Sequence, residues 1–243
     1  MQNGTFVING THSSELKSFI QNRPELTVPR RKIDYKDIGG RSGSIPFDEE
    51  AYENTSLPLV LYTSGSSKGE AEYNRMMVQH VFDSGTYIPF IPYFDSRKMY
   101  MVTAEGIRFS GNRSFGHNQP YTMTLNVKPY KFLIDSIKRE GLSSPLTITN
   151  PMFAPSKPLI TLHGTGDCTL VVNGESFVFK GITSSIIIDS ENEFCYSENG
   201  LLIENENDKM FTLDYPELVK GVNTLSWTTG FTLDIEPKWR TLI

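Results

Sequence analysis

Alternation with a period of two is the feature that most constrains this chain. Tyr121, Met123, Leu125 and Val127 are interleaved with Thr122, Thr124, Asn126 and Lys128. That pattern puts the apolar groups on one face of a half-buried strand. Phe231, Leu233 and Ile235 alternate with Thr232, Asp234 and Glu236 in the same way. Between them, TLVVNGESFVFKG (169–181) sets Asn173-Gly174 between two apolar runs, and SSIIID follows. Asn-Gly tolerates the positive φ of a type I′ turn, so this stretch predicts a hairpin. Strand signals punctuated by turn residues every eight to twelve positions predict a mainly β protein of sandwich or barrel type.

One segment breaks the rule. In 70–83, Tyr73, Met76, Met77 and Val81 recur at helical spacing, with Glu70, Glu72, Asn74 and Arg75 as the polar set. This predicts a single amphipathic helix whose Met pair fills core space. The charged stretch FLIDSIKREGLSS (132–144) reads as a linker or short connecting helix, and the Pro-rich NPMFAPSKP (150–158) opens a second all-β unit. The expected division is 1–140 and 141–243.

The 243 residues suffice for one large or two ordinary domains with real cores. A hydrophobic share of 38% and a charged share of 21% describe a globular chain. A net charge of −5 supplies no basic footprint, which argues against stable nucleic-acid binding and against attraction to anionic membranes. No basic-then-apolar leader opens the sequence and no apolar run approaches a membrane span. The expectation is synthesis in a cytoplasm without secretion.

Residues 57–83, LPLVLYTSGSSKGEAEYNRMMVQHVFD, read as strand, Gly-rich turn and helix, and Gly65-Ser66-Ser67-Lys68-Gly69 matches the G-x-S-x-G nucleophile elbow. A serine hydrolase with Ser67 as nucleophile is therefore one alternative. The surrounding sequence argues against it, because an elbow needs alternating strands and helices, and here strand follows strand. The turn also faintly echoes the Ser/Thr/Gly-rich phosphate loop of adenylate-forming enzymes, without the rest of that motif.

The remaining chemistry-bearing residues read as structural. Cys168 and Cys195 lie in apolar strand contexts and read as buried free thiols. His12, His80, His117 and His163 show no metal-ligand spacing. The acidic groups Asp48-Glu49-Glu50, Glu191/Glu193 and Glu204/Glu206 invite a glycosidase reading, but each sits in a polar, turn-like stretch expected to be solvated. Gly164-Thr165-Gly166 lacks the third glycine and helix of a dinucleotide fingerprint. No catalytic residue, metal or cofactor is expected.

A more distinctive order remains. Val28-Pro29-Arg30-Arg31-Lys32-Ile33 precedes a tight turn, Gly39-Gly40-Arg41-Ser42-Gly43, then an acidic stretch, LPLVLY, the helix and FDSRKMYMVTAEGIRF (94–109). NPMFAPSKPLITLHGTGDCTLVVNG (150–174) and GVNTLSWTTGFTLDIEPKWRTLI (221–243) follow. This order resembles the distal tail proteins (Dit family) of long, non-contractile-tailed phages, over nearly the whole chain. The resemblance implies two β-sandwich-like domains. The first is tail-tube-like, carries the helix and forms a hexameric ring, and the second is galectin-like. The implied partners are five further copies, the tail tube protein, tail-tip or tail-associated proteins, and receptor-binding or baseplate proteins. DNA would cross the ring unread, and the location would be the virion tail tip.

Within this frame Gly39, Gly40, Arg41 and Gly43 form a candidate assembly interface. The glycines bend the backbone and Arg41 offers a planar fork to a neighbour's carboxylates or carbonyls. The other alternative is a carbohydrate-binding galectin-like module. It is opposed by the absence of a His-Asn-Arg strand: Trp227 is followed by Thr-Thr-Gly, His163 by Gly-Thr-Gly, and Trp239 by Arg240 close to the last residue.

Overall fold

The structure, a computed structural model, describes residues 1–109, 117–200 and 202–243. The chain divides into two compact units, Met1–Lys131 with Leu242–Ile243, and Phe132–Thr241.

The first unit holds β1 (Phe6–Ile8), β2 (Thr11–His12), β3 (Ser18–Ile20), β4 (Arg31–Asp37), β5 (Ser44–Tyr52) and β6 (Thr55–Thr63). Helix α1 (Lys68–Phe82), β7 (Ile88–Pro92), β8 (Lys98–Phe109) and β9 (Gln119–Leu133) follow, β9 running on into the second unit. Seven strands pair in the order β2-β1-β7-β8-β9-β6-β3. The far edge curls back towards the start, since the Ile20 N–H donates to the Gly4 carbonyl at 2.7 Å. The alternation in β9 lands as expected, with Tyr121, Met123, Leu125 and Val127 all buried. They meet Leu57, Leu59 and Leu61 of β6 and Val78 and Phe82 of α1 in one core. Each such side chain contributes roughly 1.5–3 kcal/mol relative to exposure.

Helix α1 forms where its spacing placed it, but it presents a different face. The buried residues are Ala71, Asn74, Val78 and Phe82, while Tyr73 and Met76 are exposed. Met77 and Val81 are only partly buried against the core. Asn74 tolerates burial because its Nδ2 donates to the Ser64 carbonyl at 2.8 Å, so the polar group is satisfied.

The second unit holds β10 (Arg139–Leu142), β11 (Leu146–Asn150), β12 (Leu159–His163), β13 (Gly166–Val172), β14 (Glu175–Ile182) and β15 (Ser185–Asp189). β16 (Phe194–Asn199), β17 (Leu202–Asn205), β18 (Gly221–Trp227) and β19 (Thr232–Glu236) follow, and β20 (Arg240–Leu242) pairs with β9 as the eighth strand of the first sheet. A six-stranded sheet, β10-β19-β12-β15-β16-β17, and a four-stranded sheet, β11-β18-β13-β14, share one core. Ile160, Leu162, Ile186 and Leu233 come from the first, and Ile148, Leu170, Phe177 and Leu225 from the second. This is a sandwich. Asn173 and Gly174 join β13 to β14 with φ of 54° and 91°, the positive values a two-residue hairpin turn demands.

The stretch 132–144 is neither helix nor free linker. Phe132 and Leu133 end β9, a turn follows, and β10 pairs with β19 through Arg139↔Ile235 and Leu142↔Leu233. Its charged residues suit an edge strand that meets water on one side.

Candidate functional site: a free-standing ribbon and a capped turn

β4 and β5 stand apart from the main sheet as a two-stranded ribbon, paired from Asp37↔Ser44 through Ile33↔Asp48 to Arg31↔Tyr52. Most of its residues are exposed, so both of its strands face solvent. Two-stranded sheets are marginal alone. This one is braced at its base: Arg31 Nε donates to Asp48 Oδ1 and Oδ2 at 2.8 and 2.9 Å, and Nη1 donates to the Tyr52 hydroxyl at 3.0 Å. The same guanidinium lies over the Tyr52 ring, 5.5 Å from its centroid. Arg31 holds the Asp48 carboxyl below the usual carboxylate range, chiefly by hydrogen bonding. Asp48 Oδ1 also accepts the Glu50 N–H at 3.0 Å, where Glu50 takes a φ of 55° and the pairing register shifts.

Gly39, Gly40, Arg41 and Gly43 form the ribbon's tip. Gly40 and Gly43 adopt φ of 81° and 82°, which L side chains rarely do, whereas Gly39 has no such need. All three glycines face open space. The Arg41 N–H closes the turn onto the Ile38 carbonyl at 3.1 Å, and its side chain forms no hydrogen bond or ion pair among the described residues. Tyr35, Ile38 and Phe47 are at least half exposed nearby. The Arg31 brace and these apolar groups were not anticipated. In 31–37 only Ile33 and Tyr35 share an apolar face, flanked by Arg31 and Asp37, too little to mark a covered side.

Ser67 is a helix cap. Its Oγ accepts the Glu70 N–H at 3.2 Å, and the Glu70 carboxylate reaches back to the Ser66 N–H at 2.7 Å and to the Ser66 hydroxyl. Among the described residues no histidine bonds to it. Ser67-Lys68-Gly69-Glu70 is a capping-box spacing, a signal present in the sequence beside the elbow pattern. The glycines of that pattern have separate reasons. A Cβ on Gly65 would lie 2.5 Å from the Ala71 nitrogen, while Gly69 faces open space.

The other singled-out residues fall apart from one another. Glu191 pairs with the buried Arg240 at 2.5 Å, and Glu193 with Lys157 at 3.2 Å. Glu206 is buried rather than solvated: it bonds Lys209 and accepts the Ser197 hydroxyl at 2.9 Å. His163 Nε2 lies 3.0 Å from Asp234 Oδ2, whose other oxygen accepts the Gly141 N–H at 2.8 Å. Cys168 and Cys195 are buried free thiols, and burial pushes Cys195 up to about 12, far from a reactive thiolate. Trp227 and Trp239 are buried, Trp227 Nε1 donating to the Phe231 carbonyl at 3.0 Å, so neither offers a sugar an open ring. Among the described residues no helix is long and apolar enough to cross a membrane.

No protein-family profile matches the sequence, and no curated protein does. Solved structures do match. The Dit protein of phage SPP1, described as a paradigm of hub adsorption apparatus in Gram-positive infecting phages, superposes with a TM-score of 0.71 at 13% identity. That match covers 96% of this chain and 98% of that one. A chain of the phage P2 baseplate in its activated conformation with Ca matches with a TM-score of 0.57 at 10% identity, covering 97% and 98%. The same baseplate with Sr gives 0.57 at 11%, covering 96% and 98%. Over nearly its whole length, and through both of its units, this chain therefore has the fold of the phage Dit hub protein.

Proposed function

We propose that this protein is a structural hub of a phage tail tip or baseplate, assembled as a hexameric ring that joins the tail tube to the host-recognition apparatus. The observation that carries this reading is the full-length likeness to a hub protein and to a baseplate chain. In this reading the first unit builds the ring and the second serves as the docking sandwich for receptor-binding, baseplate and tail-associated proteins. DNA passes through unread, the protein is a virion component without enzymatic activity, and no membrane is engaged.

The ribbon supports the ring. A closed ring needs a heterologous contact repeated by rotation. An arm braced at its base, with Tyr35, Ile38 and Phe47 exposed and Arg41 unengaged at its tip, is suited to reach a neighbouring copy. An exposed Arg contributes little to a monomer, whereas a desolvated interfacial Arg is often a hot spot. Arg41→Ala is expected to leave the melting temperature nearly unchanged while moving sedimentation from rings to smaller species. A variant that melts markedly lower as a monomer would make Arg41 an internal brace.

A further inference from the structure

The six-stranded sheet of the second unit ends on β17, and among the described residues no strand covers its outer edge. The Glu206 N–H donates inward to the Cys195 carbonyl at 2.8 Å. Antiparallel pairing alternates, so the N–H and C=O groups of Ile203 and Asn205 point outward from β16. Unpaired edges of this kind are templates for another chain.

The side chains state which chain. Leu202 and Ile203 are 66% and 67% exposed although they lie on opposite faces of the strand, so this edge stands clear of the core on both sides. Glu204 lies between Ile203 and Asn205, and Glu198 sits opposite Ile203 on β16. Neither carboxylate forms a hydrogen bond or ion pair among the described residues. The whole unit carries 15 acidic against 8 basic residues, a net −7. Adjacent strands lie about 5 Å apart, so Glu204 acts on an incoming strand from well within the ~8–10 Å screening length, and Glu198, two spacings away, from its margin.

We infer that β17 is a docking edge that accepts an extended, basic and apolar-alternating segment of a partner protein as a seventh strand. Main-chain bonds at Ile203 and Asn205 bind it, apolar contacts to Leu202 and Ile203 seat it, and Glu204 selects its cations. A second copy is the wrong occupant, because two β17 edges would bring Glu204 against its own kind within two units of net −7. This inference rests on the edge alone and not on ring formation, so a protein that proves monomeric leaves it intact.

The test titrates the full chain with a peptide alternating lysine and valine. Comparison peptides carry proline in place of alternate residues, or glutamate in place of lysine. Amide exchange is read at Ile203 and Asn205. The expected result is protection of those two amides, binding at least about tenfold weaker for each comparison peptide, and binding that weakens with salt. Ile203→Pro, which deletes an outward N–H, and Glu204→Lys, which reverses the charge, are each expected to weaken binding about tenfold. Equal binding of the proline peptide would reduce the site to charge attraction and overturn the inference. So would protection elsewhere, equal binding by the glutamate peptide, or a β17-dependent dimer that the lysine peptide does not disperse.

Discussion

Arg31 Nε lies 2.8 Å from one oxygen of Asp48 and 2.9 Å from the other, across the base of a ribbon that no other strand joins among the described residues. The ribbon's register depends on this grip, because Asp48 also accepts the Glu50 N–H at the point where the pairing shifts. A carboxylate whose folded pKa is depressed contributes stability above its unfolded value of ~3.9, and that contribution is lost as pH falls through the folded value. Both partners are solvent-exposed, so the loss is local. The Glu50 amide resonance is therefore expected to shift with a midpoint below ~3.9, and to lose that transition in Asp48→Asn. A midpoint at or above the ordinary value would mean that Arg31 does not hold the carboxylate in solution.

The turn before α1 separates three roles inside one five-residue pattern. Gly65→Ala forces a Cβ to 2.5 Å from the Ala71 nitrogen, a backbone clash expected to cost about 1–3 kcal/mol. Gly69→Ala fills open space inside the helix and is expected to stabilise by about 0.5–1 kcal/mol. Ser67→Ala removes the cap and costs about 1 kcal/mol. Urea denaturation ranks the three. Fluorophosphonate labelling of Ser67 in the native protein, abolished in Ser67→Ala, would contradict the capping role.

How much of this was legible is clearest residue by residue. The strand faces of 121–127 and the turn at Asn173-Gly174 could be read because both signals are local: side-chain alternation and a positive φ leave their mark within a few residues. The helix was legible as a helix, but not its buried face. Choosing Asn74 over Tyr73 and Met76 depends on a carbonyl at Ser64 in the preceding turn, which periodicity does not register. The burial of Glu206 escaped the sequence for a related reason: Lys209 meets it locally, but Ser197 closes on it only when β16 and β17 pair. The Ser67 cap differs: its Ser-x-x-Glu signal is fully local, but it overlaps a G-x-S-x-G pattern that shares Ser67 and Gly69. The tip residues 39–43 were legible as a turn, whereas the ribbon's isolation from the main sheet is a property of topology alone.

β10 makes a prediction about where the second unit begins. Its Leu142 packs against the sandwich core, and the Gly141 N–H donates to Asp234, which is itself buried. A fragment spanning 132–243 is expected to melt cooperatively. One spanning 146–243 loses the edge strand and leaves Asp234 short of a donor, at a cost of about 1–3 kcal/mol. Thermal melts of the two fragments decide it. Equal melting temperatures would show that β10 lies outside the folding unit.

Negative-stain microscopy of the purified full-length protein tests the proposed ring. Closed six-fold rings are expected in class averages, replaced by smaller particles in Arg41→Ala. A field of monomers for the wild-type protein at micromolar concentration would contradict it.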